Sequence, residues 1–185
     1  WASGGGGGLH VRGSDISVIG TEIRNNQSST SYGGGVQLIE TTAALLRCVI
    51  AGNSEYGYAG GSAIEVYRSI ASITNCTVIG NYSEVEGAIS TNTGDGVACS
   101  ATVTNCIVGD NYAAQFYEGA GTTLTVRYSD VENGWPGEGN INLDPLFVNA
   151  EISDYRLLLS SPCVDAGDPA SPLDADGTRA DMGAY

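Results

Sequence analysis

Nine residues, ITNCTVIGN at 73–81, nearly recur as VTNCIVGDN at 103–111. A looser copy, LLRCVIAGN, occupies 45–53, and a fainter one, VIGTEIRNN, occupies 18–26. Self-similarity at this period marks stacked structural units, and it restricts the fold more than any other property of the chain. Aligned on Thr21, Cys48, Cys76, Cys106 and Ser129, the copies recur at intervals of 27, 28, 30 and 23 residues. Ile23, Ile50, Val78, Val108 and Val131 follow two residues later. Asn26, Asn53, Asn81 and Asn111 follow after five, until Gly134 breaks that column. Upstream stand two further columns: Val18, Leu45, Ile73, Val103 and Val126; then Ile16, Ala43, Ala71, Ala101 and Leu124.

Each copy also has an earlier segment opened by glycine: GGLHV (7–11), GGVQL (34–38), GSAIEV (61–66) and GAIST (87–91). Apolar residues alternate there with His10, Gln37 and Glu65, which predicts strands with one buried and one wet face. Helical spacing is absent. A unit of this length with short strands and Gly or Asn at its corners reads as one coil of a parallel β-helix, with equivalent residues stacked about 4.8 Å apart. The expected fold is all-β: a right-handed parallel β-helix of about five coils. Residues 1–134 form the coils, and 135–185 form an irregular C-terminal capping segment of the same domain.

Stacking gives the repeated phrase its meaning. Cys48, Cys76 and Cys106 are expected as an inward column of free thiols, acting as small hydrophobes. The alternative, a disulfide between two of them, strains bridge geometry at one-coil spacing. Asn26, Asn53, Asn81 and Asn111 are expected as a corner ladder, each amide bonding the next and each tolerating a left-handed backbone. Asn26 and Asn81 also begin N-x-S sequons.

Composition narrows the function. The chain has no Lys, seven Arg, 21 acidic residues and a formal net charge of −14. Such a surface repels phosphates, so nucleic-acid binding is not expected. No apolar run is long enough to insert into a membrane. Five Cys fit no small disulfide framework.

Two resemblances follow from the motifs. The paired signals G-G-[AGS]-I/V and [I/V]-x-x-N, over residues 4 to about 134, resemble the repeats of bacterial polymorphic outer-membrane proteins, with Ile or Val in place of their aromatic residue. The tail reads NINLDPLFVN, SDYRLLLSSPCVDAGDP and LDADGTRADMGAY over 140–185. It resembles the C-terminal end of secreted bacterial right-handed parallel β-helix repeat proteins of the pectate-lyase-like superfamily. The resemblance implies an extracellular or cell-surface location and a closing segment, and leaves the activity open. Leu143, Leu146, Phe147, Tyr155, Leu157, Leu159 and Val164 are the expected apolar cover of that cap. The front, WASGGGGGLHV, enters a coil directly. Further N-terminal coils or a partner chain are therefore expected to cover the first coil.

The candidate binding surface is a strip of aromatic rings and carboxylates in the loops after each Asn corner: Tyr56, Tyr58, Tyr82, Glu84, Glu86, Tyr112, Tyr117 and Glu118. Rings stack on sugar faces and carboxylates accept hydroxyl protons, so a polysaccharide or cell-surface glycan is the expected partner. The plainer reading packs these rings against the rod. Asp174, Asp176 and Asp181 suggest calcium, against the alternative that Asp–Gly turns merely cap backbone amides. A catalytic site is not evident. Glu84 with Glu86, or Asp95 with Asp110, are the nominal pairs for hydrolysis. Arg24, Arg47, Arg68 and Arg127 read as outward solubilising residues. The favoured function is a non-catalytic extracellular module, structural or adhesive; the alternative is a fragment of a polysaccharide lyase or glycoside hydrolase.

Overall fold

A computed structural model describes residues 7–29, 33–57 and 60–185. It is a parallel β-solenoid. The first coil contains β1 (Leu9–Arg12), β2 (Ile16–Ile19), β3 (Glu22–Arg24) and β4 (Gln27–Ser28). The second contains β5 (Val36–Ile39), β6 (Thr42–Leu46), β7 (Val49–Ala51) and β8 (Ser54–Glu55). The third contains β9 (Ile64–Tyr67), β10 (Ile70–Thr74) and β11 (Thr77–Ile79). β12 (Tyr82–Asn92), β13 (Ser100–Thr104) and β14 (Ile107–Gly109) follow, then β15 (Tyr112–Glu118), β16 (Thr123–Arg127) and β17 (Asp130–Val131). Equivalent strands pair in parallel into three sheets. One runs β2-β6-β10-β13-β16 and another β3-β7-β11-β14-β17, while β12 joins the third from both sides of a corner. The chain makes about four turns.

The registers reproduce the repeat columns. Ala43, Ala71 and Ala101 are partners, as are Leu45, Ile73 and Val103. Ile23, Ile50, Val78, Val108 and Val131 form one file. These side chains and those of Val36, Ile64 and Ile89 make one continuous core cluster. A fully buried Leu, Ile or Val contributes about 2 kcal/mol each, so the stacked files carry most of the stability.

Corners turn on single left-handed residues. Gly20, Arg47, Asn75, Asn105 and Tyr128 precede the Cys column, and Asn25, Gly52, Gly80, Asp110 and Asn133 precede the Asn column, with φ between 46° and 66°. The ladder asparagines themselves are not left-handed, contrary to the sequence expectation. The preceding residue bends the chain, and this frees the Asn side chain to point inward.

The tail departs from a simple end cap. Trp135 packs on Phe116 with ring centroids 5.0 Å apart, and the Tyr128 and Val131 amides donate to Glu138 and Ile141 carbonyls. This stretch closes the last coil. The chain then makes an antiparallel pair, β18 (Phe147–Asn149) with β19 (Asp154–Leu157), and runs back toward the first coil along the outer side of the β3-β7-β11-β14-β17 sheet. Met182 and Cys163 pack on Ile107, and Ala184 on Val49, Ala51 and Ile79. Leu143 and Leu159 are exposed and give no apolar cover. The other five expected residues are half-buried.

This strap explains the strands VIA, TVI and IVG, which lack polar alternation because both faces are buried. The asparagines of the repeated TNC phrase hold it. Asn75 Nδ2 donates to the Asp181 carbonyl at 2.8 Å, and Asn105 Oδ1 accepts the Asp168 amide at 2.6 Å. Arg24 lies over the Tyr155 ring, 5.1 Å from its centroid, and Arg127 approaches Asp168 at 3.5 Å. Both are clamps on the strap, not free solubilising groups. No helix among the described residues is long and apolar enough to cross a membrane.

Candidate functional site

All five cysteines are free and buried. The Cys48 amide donates to Cys76 Sγ and the Cys76 amide to Cys106 Sγ, both at 3.4 Å, and Ser129 Oγ takes the same place for Cys106 at 3.1 Å. The column is thus a hydrogen-bonded file and not a reactive centre. The hydrogen bond to the next thiol in the file, followed by burial, pushes the Cys48 and Cys76 pKa values up. Beside it runs the Asn ladder. Nδ2 of Asn26, Asn53 and Asn81 donates to Oδ1 of the next Asn at 3.0, 3.0 and 2.9 Å. Each also donates its backbone N–H to that same oxygen.

After this ladder the chain crosses to the glycine-opened sheet. From the ladder Asn to the first inward residue of that sheet the distance is 10, 11, 8 and 5 positions (26 to 36, 53 to 64, 81 to 89, 111 to 116). Described residues of these crossings lie against the sheet's outer face: Gly61 N–H reaches Glu65, and the Ser83 hydroxyl reaches the Gly60 carbonyl. Gln37 and Glu65, expected to be wet, are buried, and so is Ser90 in the same file.

The tyrosines sit on the rim of these crossings. Tyr56 and Tyr82 have centroids 5.3 Å apart and tilted by 35°; Tyr82 and Tyr112 are stacked at 4.6 Å and 26°. Register places Tyr112 directly on Tyr82, because the Tyr112 amide bonds Asn81 O and the Tyr82 amide bonds Asn53 O, each at 2.8 Å. The rings therefore turn their faces to one another. Tyr82, the middle ring, thus has both faces turned to its neighbours, while Tyr112 at the end of the stack is exposed. The Tyr82 hydroxyl donates to Glu84 at 3.1 Å. Tyr117 is exposed but belongs to the Glu65–Ser90 file, off the strip. The Glu118 carboxylate accepts the Leu124 amide at 2.9 Å, also away from the strip. Tyr58 lies outside the described residues.

Glu86 turns inward, unlike exposed Glu84, so these two do not face each other as a hydrolytic pair. Asp95 pairs with Arg68 at 2.5 Å after the glycine-opened sheet, whereas Asp110 forms the corner before the Asn column, so that pair does not converge either. Glu86 instead meets two acids that sequence reasoning missed. Asn92 Nδ2 donates both to Glu86 Oε2 at 2.9 Å and to Glu65 Oε1 at 3.1 Å. Gly61 N–H donates to Glu65 Oε2 at 3.0 Å, and Gly57 N–H to Glu55. Burial pushes Glu65 up to about 8, against its bond from Asn92 and with the Glu86 charge adding to the rise. Burial likewise pushes Glu55 up to about 7, opposed by the Gly57 bond and raised further by Glu86 and Glu84. An unalternated polar residue count would not reveal this cluster; the signal is Glu at an outward strand position whose crossing loop is long.

Two grooves flank the strap. One of about 470 Å³ is lined by Arg47, Asn75, Asp174, Asp176, Asp181 and Tyr185. Its carboxylates hold the tail's turns: Asp174 accepts the Asp181 amide at 2.8 Å, Asp181 the Asp165 amide at 2.7 Å, and Asp176 the Thr178 amide at 3.0 Å. Among the described residues no three His, Cys, Asp or Glu side chains are placed to hold a metal ion. The other cleft, about 770 Å³, contains Asp110, Asp130, Glu132 and Asp144. Asp130 is buried there, accepting the Leu143 amide at 3.0 Å and the Cys163 thiol at 3.3 Å. No family model, no curated protein and no solved structure matches the chain.

Proposed function

We propose that the chain is a non-catalytic, right-handed β-helix module of a secreted or cell-surface bacterial protein. It acts as a stiff adhesive element that meets a polysaccharide along one edge. The observation that carries this reading is the continuous Tyr56–Tyr82–Tyr112 stack, which runs over successive coils beside Glu84. Tyr56 and Tyr112 are about half-exposed, at 49% and 60%. Right-twisted strands joined by parallel crossovers favour the right hand. The likeness of the tail to secreted β-helix repeat proteins supports the location. The net charge of −14 selects neutral or amine-bearing glycans over acidic ones. A further coil of the same pattern is the natural cover for the first coil, whose strands β1, β2 and β3 end their sheets beside a groove lined by Leu9, Ile16, Val18 and Ile23.

A glycan array tests the reading. Binding to neutral or amine-bearing polysaccharide, lost on Tyr56→Ser with Tyr112→Ser, supports it. Absence of binding, or binding that survives both substitutions, overturns it.

The groove at Arg47 favours a second reading, a polysaccharide lyase. Arg47 is exposed and makes no ion pair among the described residues, yet it shares the groove with Asp174, Asp176 and Asp181. An exposed arginine base in an open groove is one of the groups that elimination from an acidic sugar requires. Formation of unsaturated products from acidic polysaccharides, abolished by Arg47→Gln, is its test.

A further inference from the structure

Glu55 and Glu65 are fully buried, Glu86 is 8% exposed, and Glu55 Oε2 has no hydrogen-bond partner. Their donors are neutral: the Asn92 amide and the N–H groups of Gly57 and Gly61. The remaining titratable neighbours are Glu84, which acts on Glu55, and the Cys99 thiol, which feels Glu65. Gln37, the register partner of Glu65 on β5, is neutral and bonds His10. No Arg or His pairs with any of the three acids among the described residues. Like charges this close in a dry site are not all ionised unless a positive charge joins them.

We propose that Glu55 and Glu65, packed beside Glu86, form a proton-held latch that fastens Gly57, Gly61 and the Ser83–Glu86 bulge over the glycine-opened sheet, and that loss of the proton releases them and unstacks the tyrosine strip. The bulge is where β12 takes extra residues against β15, between the Tyr82 and Gly87 pairings. Glu55 directly precedes Tyr56, and Ser83 directly follows Tyr82, so movement of either segment moves a ring. The Ser83 hydroxyl ties the two segments by accepting the Glu86 amide at 3.3 Å and donating to Gly60 O at 3.5 Å.

The direction follows from linkage. Both raised carboxyls hold their proton more tightly when closed than at their ordinary value of 4.5. Closure is therefore firmest below about pH 4.5 and weakens as the pH rises through 7 to 8. Hydrogen exchange at the Gly57 and Gly61 amides, corrected for intrinsic rate, reads the latch. Protection is expected to fall about a hundredfold per pH unit from about pH 5 to about pH 7, where both carboxyls lose their proton on opening, about tenfold from there to about pH 8, and then to level. Glu65→Gln keeps the shape without the charge and lowers the slope by the proton that Glu65 carries; Glu55→Gln, a second variant, does the same for its own proton if the first fails to fold. An unchanged slope in a folded variant overturns the proposal, as does constant wild-type protection over that range.

Discussion

The phenol of Tyr185 donates to the carboxylate of Glu22 at 3.0 Å, joining positions 163 residues apart. The contact shows how far the tail travels: it leaves the last coil and reaches the first. Between these points it is held by the Asn105 and Asn75 corners, and by Thr77 Oγ1, which accepts the Ala184 amide at 3.1 Å. The strap thus braces the coils along the rod axis.

Loosening the strap therefore loosens the whole rod. Met182 is 1% exposed and fills the space over Ile107. Met182→Ala is expected to cost about 3 kcal/mol, and Thr77→Val about 1 kcal/mol. Urea unfolding followed by circular dichroism measures both. A cost for Met182→Ala below about 0.5 kcal/mol would mean that the strap does not bear on the solenoid.

The Asn ladder makes a graded prediction. Removing the Asn81 amide strands the Asn53 N–H and Nδ2 donors and the Ile50 carbonyl inside the rod. Asn81→Ala is expected to cost about 3 kcal/mol. Asn26 has one ladder neighbour, so Asn26→Ala is expected to cost about 1 kcal/mol. Equal costs at the two positions would show that the ladder bonds do not add across coils.

What was legible in the sequence was whatever the coil repeats. Cys76 over Cys106, Asn53 over Asn81 and Tyr82 over Tyr112 follow from in-register stacking, since one column position recurs at one period. What covers the outside does not repeat and so left a weaker trace. The VIA, TVI and IVG strands carried that trace, because an outer sheet face whose one polar residue is Thr77 must lie under something. Glu65 looked like an ordinary wet strand residue. It is buried because Gly61, at the end of the long crossing from Asn53, and Asn92 and Glu86 of the next coil lie against it, which alternation alone does not encode. The asparagines at 75 and 105 were read only as part of a phrase, whereas their left-handed backbone turns the side chain outward to the strap.

Buried thiols that bond within their own file should be inert. The neighbouring thiols, with burial, push the Cys48 and Cys76 pKa values up, and burial with Asp130 does the same for Cys163, which leaves almost no thiolate at neutral pH. A thiol reagent such as dithionitrobenzoate is expected to titrate none of the five cysteines in the native protein and all five in denaturant. Rapid native reaction of even one equivalent would place a cysteine at the surface and break the column. Cys76→Ser is expected to be tolerated better than Cys76→Val, since Ser129 already occupies the same file, while valine adds volume to a packed core.

The tyrosine strip tests whether stacking is energetic or incidental. Tyr82 lies between Tyr56 and Tyr112 at centroid distances of 5.3 and 4.6 Å. Tyr82→Phe removes the bond to exposed Glu84 and keeps the ring, so its stability change is expected within about 0.5 kcal/mol. Tyr82→Leu removes the ring, and a double-mutant cycle with Tyr112→Leu isolates the pair from each residue's own burial. The expected coupling is about 1 kcal/mol, the worth of an offset aromatic pair beyond its area. A coupling under about 0.3 kcal/mol would mean that the rings merely share an edge. Their alignment then would come from the backbone register alone, and a glycan would meet three independent side chains instead of one rigid strip.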